Sequence, residues 1–147
     1  ARARVIEHPG WAEGQLSSLL AGLTAVDDPQ LEAVIVTPVD IPLVSASTVA
    51  RLISAWRTSR APIVRPVQGE RHGHPVIFDQ SIFDDLRSAD PAIGAKAVFM
   101  AHQSRILNVE VTDAGAFEDV DTPEDYERLR LQHARLPQQA RLVERAE

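Results

Sequence analysis

The sequence predicts an α/β fold built on a parallel sheet, and three observations carry that expectation. Residues 33–36 are Ala-Val-Ile-Val, an aliphatic run without alternation, as in a strand covered on both faces. Ahead of it Leu16, Leu19, Leu20, Leu23 and Val26 recur at helical spacing, and behind it Val49, Leu52, Ile53 and Trp56 do the same. Further short apolar runs at Ile63-Val64 and Val76-Ile77-Phe78 continue the mixture of strand and helix. Residues 33–36 are the expected central strand.

Taken in order, the chain opens on Arg4-Val5-Ile6-Glu7, which reads as the end of a strand entering the His8-Pro9-Gly10 turn. The helix over 15–26 buries its leucine side, while Ser18, Ala21, Gly22 and Ala25 leave the other side without a charge. A solvated helix face normally collects Lys, Glu and Arg, so a ligand, a partner or a further segment is expected to cover it. The Asp27-Asp28-Pro29 turn leads into the central strand, and Ser45 and Ser47 stand at capping positions of a helix over 47–57. Residues 67–74 form a polar, glycine-punctuated loop between two strands, a hairpin-like insertion.

Ile82, Phe83 and Leu86 mark one short helix, and residues 94–101 another. Leu107, Val109 and Val111 alternate with Asn108 and Glu110, as in a half-exposed strand near a sheet edge. Thr122, Pro123 and Asp125 supply the N-cap, first helical residue and capping-box acid of a last helix. Residues 134–147 are read as a charged tail on a single domain spanning 1–147.

With 147 residues, 44% of them hydrophobic and 24% charged, the chain is long enough for one domain with a real core. It has no cysteine, hence no disulfide or thiolate metal site, which favours a reducing compartment. No apolar run approaches the roughly 20 residues that span a bilayer, so the expectation is a cytoplasmic protein that does not enter the membrane. A formal charge of −6 disfavours a nucleic-acid surface, which needs clustered Lys and Arg. Lys96 is the one lysine in the sequence.

Asp40, within Pro38-Val39-Asp40-Ile41-Pro42, comes shortly after the expected central strand. Open α/β sheets bind ligands beyond the carboxyl ends of their strands, and the next helix already has serine caps, so Asp40 is the first candidate for chemistry. Helix initiation leaves Asp119 and Asp121 unexplained. In extended chain they point to one side, where carboxylates repel unless a cation or proton lies between them. Magnesium typically takes one or two protein carboxylates and completes its octahedron with water and substrate phosphates. Asp40 and Asp121 meet that requirement if the fold brings them together.

His72 and His74 are spaced as two ligands on one strand face, but no third ligand is apparent nearby. His74 is better read as fixing the loop before Pro75 or touching substrate. There is no Gly-x-Ser-x-Gly elbow and no Gly-x-x-x-x-Gly-Lys phosphate loop.

Four segments in order, Trp11-Ala-Glu-Gly14-Gln-Leu-Ser17-Ser18-Leu-Leu-Ala-Gly22-Leu, Val39-Asp40-Ile-Pro42-Leu, Arg71-His-Gly73-His74-Pro75-Val and Asp119-Val-Asp121-Thr-Pro-Glu-Asp-Tyr126, resemble the MobA-like nucleotidyltransferases. The similarity runs from about residue 9 to 129 and is greatest to the molybdenum-cofactor cytidylyltransferase branch. It implies a Rossmann-like three-layer α/β/α sandwich with a mostly parallel sheet. The implied reaction joins a nucleoside monophosphate from a nucleoside triphosphate, CTP in that branch, to a phosphorylated, pterin-like acceptor and releases pyrophosphate, with Mg2+.

By motif match, Asp40 and Asp121 would be the metal ligands and the catalytic acids, with Gly14, Ser18 and Asp40 on the nucleotide. Arg71, Gly73, His74 and Lys96 would meet the acceptor substrate, and a molybdoenzyme is the partner such a product implies. His72 stands where a second Arg is common. The family opens with a strand and a Leu-Ala-Ala-Gly…Arg-Met-Gly loop around the triphosphate, which these residues do not contain. The chain therefore reads as truncated at its N-terminus, and these residues alone are expected to have negligible transfer activity. Alternatives are a guanylyltransferase or sugar-phosphate nucleotidyltransferase of the same fold, and a non-catalytic nucleotide- or cofactor-binding module.

Overall fold

The computed structural model describes residues 3–26 and 28–134; the expected tail lies outside them, apart from residue 134. Among these residues five strands, β1 (Ala33–Val36), β2 (Ile63–Gln68), β3 (Arg71–His72), β4 (Val76–Asp79) and β5 (Ile106–Glu110), make one mixed sheet. β4 lies between β1 and β2, antiparallel to both, and β5 pairs with the other edge of β2 in parallel. Strands β1, β2 and β5 thus run the same way, as expected, but only the β2–β5 ladder is parallel.

Among the described residues five α-helices accompany the sheet: α1 (Gln15–Ala25), α2 (Ala46–Ser59), α3 (Phe83–Ser88), α4 (Lys96–Ala101) and α5 (Pro123–Ala134). Neighbouring strand residues point to opposite faces, and the core divides accordingly. Ile63 and Phe78 pack with Leu23 of α1, Leu86 of α3 and Val98 of α4. Val64 and Ile77, one residue along, pack with Leu52 and Trp56 of α2 and with Val109. Helices on both faces give the Rossmann-like three-layer α/β/α sandwich. Leu52 is fully buried, and burial of such a side chain is worth roughly 1.5–3 kcal/mol, so it is a main anchor of α2.

The strands covered on both faces are β2 and β4, not β1. Ile63 and Val64 are completely buried, whereas β1 pairs only with β4 among the described residues and leaves Ile35 44% exposed. An unalternating aliphatic run reports two apolar faces and cannot report whether a strand has neighbours on both edges. Residues 3–8, where the end of a strand was expected, form no strand. β2 also runs further than expected, to Gln68, because it pairs with β5 along 63–67 and turns at Gly69 into β3. Among the described residues β5 is an edge strand, as its alternation indicated. No helix among the described residues is long and apolar enough to cross a membrane.

Candidate active site

Beyond β1 the chain turns through Pro38 to Leu43 before α2 begins, and the Ser45 hydroxyl caps that helix by accepting from the Thr48 N–H at 3.2 Å. The loop is tied down by a strap, residues 113–121, which follows β5. Asp113 anchors the strap: its Oδ2 accepts from the Ser45 N–H at 2.9 Å, the Ser45 hydroxyl at 2.7 Å and the Thr48 hydroxyl at 2.7 Å. Burial pushes the Asp113 carboxyl up, but these bonds and the Gly115 N–H outweigh it and hold the group below its ordinary value. Gly115 then packs against Leu43 so closely that a Cβ would strike the Leu43 carbonyl oxygen.

Further along the strap, the Ala116 carbonyl accepts from the His74 N–H at 2.8 Å, and the Val120 N–H donates to the Asp40 carbonyl at 2.8 Å. The Phe117 carbonyl accepts from Arg71 Nη2 at 3.0 Å, and the guanidinium lies 5.1 Å from the centre of the Phe117 ring. Gly73 is buried where a Cβ would meet the Ala116 carbonyl and the Phe117 ring. The strap therefore gathers Asp40, Arg71, Gly73 and His74 from two distant stretches, and it carries Asp121 one residue beyond the bond that holds the Asp40 backbone.

Two buried side-chain atoms at this junction have no hydrogen-bond partner among the described residues, Oδ1 of Asp40 and Nδ1 of His74. Burial lowers the His74 pKa below its ordinary value, although a backbone hydrogen bond to Val36 and the charge of Asp40 both push it up. The imidazole is thereby biased towards its neutral form beside a carboxylate. Among the described residues no group of three or more His, Cys, Asp and Glu side chains could hold a metal by itself. An orphaned carboxylate oxygen, with the exposed Asp121 carried close by, instead fits a hard divalent cation that takes one or two protein carboxylates and fills its remaining positions with other oxygens.

Gly14 and Ser18 lie at the start of α1, on the face of the sheet that also carries α3 and α4. Gly14 has φ +105°, a conformation that favours glycine, and both residues are exposed. Lys96 is exposed at the start of α4. None of these three joins the Asp40 junction through a hydrogen bond. The sequence reading missed Asp113. Its partners Ser45 and Thr48 are more than sixty residues away, and nothing local in the sequence announces them.

Residues 1–106 match the MobA-like NTP transferase domain, and the chain belongs to that family. It is 32% identical over 115 residues to the molybdenum cofactor guanylyltransferase of Cupriavidus pinatubonensis, an alignment covering 74% of this chain and 56% of that protein. It is 28% identical over 132 residues to the nicotine blue oxidoreductase of Paenarthrobacter nicotinovorans, covering 86% and 64%. Among solved structures, the Rv0371c homologue from Mycobacterium sp. strain JC1 superposes with a TM-score of 0.63 at 35% identity, over 81% of this chain and 58% of that one. The chain thus spans less than two thirds of the length of each of these relatives.

Proposed function

We propose that the chain forms the metal- and acceptor-binding part of a nucleotidyltransferase that joins a nucleoside monophosphate to a phosphorylated acceptor. The observation that carries this reading is the buried, unpartnered Asp40 oxygen, tied through the strap to Asp121, in a member of an NTP transferase family. Asp40 and Asp121 would hold a divalent cation, magnesium being the first to test. When bound, the cation supplies charge stabilisation to the transferring and leaving oxygens.

The chain's own residues orient the two reactants. Gly14 and Ser18 are proposed to lie against the nucleotide, where the uncharged side of α1 leaves room for a base. Arg71, Gly73, His74 and Lys96 are proposed to face the acceptor. An acceptor phosphate oxygen attacks the α-phosphorus, forming one P–O bond while the bond to the bridging oxygen breaks and pyrophosphate departs. No covalent intermediate with the protein is needed, so positioning two anions is the main task. A pterin-like acceptor and a molybdoenzyme that receives the product belong to this reading.

The donor base is best tested as guanine first, since a relative at 32% identity whose name specifies a base is a guanylyltransferase. The motif-based expectation of CTP remains the second donor to try. Isothermal titration of the chain with GTP, CTP and ATP, with and without magnesium, tests the reading. Magnesium-dependent preference for one base, lost in Asp40→Asn, supports it. Binding that ignores both magnesium and Asp40 overturns it in favour of a nucleotide-binding module without transfer chemistry.

A further inference from the structure

One charged residue interrupts the core strand β2: Arg65, between Val64 and Pro66. Its side chain emerges on the face that carries α1 and α4, because Ile63, two residues before it, packs on that face. Its Nε donates to Asn108 Oδ1 at 2.9 Å, across the parallel β2–β5 ladder where the two residues are paired. Its Nη2 lies 3.0 Å from His72 Nε2 on β3. The guanidinium carbon is 5.8 Å from the centre of the Phe99 ring on α4. Burial lowers the Arg65 pKa, and no carboxylate among the described residues pairs with it.

The polarity of this cluster is fixed by chemistry. A guanidinium has five N–H donors and no acceptor. His72 Nε2 must therefore accept, which puts its proton on Nδ1, and Asn108, whose oxygen is taken, offers its NH2 group. The polar groups left over in the cluster are mostly donors: the remaining guanidinium N–H groups, the His72 Nδ1–H and the Asn108 NH2, against one spare lone pair on Asn108 Oδ1. One full positive charge accompanies them, and Lys96, exposed and one turn before Phe99 on the same side of α4, adds another nearby. Such a set complements an anion with several oxygens and is a poor match for a cation or a neutral donor.

Its position suits the acceptor. Val64 pairs with Ile77 and Val36 with Val76, so Arg65 reaches the level of Val76 and hence of the end of β1, two strands away. Two strand spacings are about 10 Å, so a molecule on Arg65 lies beside, and not on top of, one held at Asp40.

We propose that Arg65, braced by Asn108 and His72, is the binding residue for the phosphate of the acceptor. The assignment of that phosphate to the acceptor rests on the transferase reading, whereas the anion site itself does not. The test is an NMR titration of the 147-residue chain with glycerol 3-phosphate as a simple phosphomonoester, reading the Arg65 Nε–H and His72 ring signals, with sodium chloride at matched ionic strength as control. The expected result is a saturable shift of both signals that chloride does not reproduce. Affinity should fall about tenfold or more in Arg65→Met and be partly kept in Arg65→Lys, as for loss of a charge-assisted bidentate contact.

An absent shift, or one matched by chloride, overturns the site, and because it is read on the unsubstituted chain a poorly folding variant cannot confuse it. Repeating the titration with magnesium and a saturating nucleoside triphosphate separates the two sources of phosphate. Retained binding supports the acceptor, and displacement overturns that assignment in favour of the nucleotide's own phosphates. Nucleotide binding at Asp40 with a silent Arg65 removes this proposal and spares the transferase reading; the reverse pattern removes that reading and with it the acceptor assignment, and leaves only the anion site.

Discussion

Two aspartates stand at opposite ends of the β1–β4 strand pair and are treated in opposite ways. Asp79 faces Ala33 at the start of β1, and both of its oxygens are engaged: Oδ2 accepts from Trp56 Nε1 at 2.9 Å and Oδ1 from the Ser81 N–H at 3.0 Å. Arg60 approaches the same carboxylate at 3.9 Å, stacks on Trp56 at 4.4 Å and pairs with Glu32 at 3.2 Å. Asp40, beyond the other end of β1, keeps a buried oxygen without a partner among the described residues, beside a His74 nitrogen in the same condition. An unsatisfied buried polar group costs about 1–3 kcal/mol. The contrast between a satisfied Asp79 and an unsatisfied Asp40 is what the proposed site at the far end of the sheet rests on.

Exchanging each carboxylate for an amide gives the sharpest separation of the two ends. Asp40→Asn is expected to weaken magnesium–nucleotide binding by about 100-fold or more, since even outer-shell partners of a metal are worth 10- to 100-fold. It should leave the unfolding free energy within about 0.5 kcal/mol or raise it, because no protein hydrogen bond to the buried oxygen is lost. Asp79→Asn should do the reverse, costing about 1–3 kcal/mol as a buried network loses an acceptor, with nucleotide affinity unchanged. Titration calorimetry and denaturant melts read both. Equal destabilisation by the two would erase the distinction.

Gly115→Ala tests whether the strap holds the site. A methyl group there meets the Leu43 carbonyl, so the strap or the Asp40 loop must shift, at a cost of about 1–3 kcal/mol for overpacking. The expected outcome combines a lower melting temperature with weakened metal–nucleotide binding, although Gly115 carries no functional group. Retained binding with a normal melt would mean that the Asp40 loop keeps its shape without the strap.

Much of this division was legible in the sequence, and the rest was hidden for physical reasons. Asp40 stood out because a lone acid between prolines after an aliphatic run has no structural partner in its vicinity. The last helix was legible because its signals are local: Thr122 and Asp125 cap each other, with the Thr122 N–H donating to the acid and the Asp125 N–H to the hydroxyl, both at 3.1 Å. Among the described residues β1 lies at an edge where a central strand was expected, because strand order depends on pairing, which burial patterns do not encode. Asp79 and Asp113 were passed over because their partners come from other elements, Trp56 and Ser45 among them. Arg65 did leave a trace, a charge inside the run Ile63-Val64-Arg65-Pro66-Val67, but its meaning needed Asn108 and His72 beside it. Local chemistry can be read along the chain, whereas chemistry assembled across the sheet requires the fold.

The smallest expected effect concerns protons. Asp79 is pushed up by burial but held below the ordinary carboxylate value by its bonds from Ser81 and Trp56 and by Arg60. The stability it confers is therefore present above about pH 3.9 and is lost as pH falls through the lower folded value. Asp79→Asn should flatten that acid limb. His74 behaves differently, because burial lowers its pKa while Val36 and Asp40 pull the other way. The unfolded chain takes up this proton first, so stability begins to decline as pH drops through about 6.5, the ordinary histidine value. Asp40→Asn removes the carboxylate charge and leaves the burial, so the His74 midpoint should move further down, as read from its ring-proton NMR shifts between pH 4 and 8, a range set by the roughly 6.5 reference value. Magnesium added to the unsubstituted chain should move it in the same direction, because a cation at Asp40 cancels the charge that favours imidazolium. A midpoint that rises, or that ignores both changes, would separate His74 from Asp40 and remove the electrostatic link on which the open end of the sheet is built.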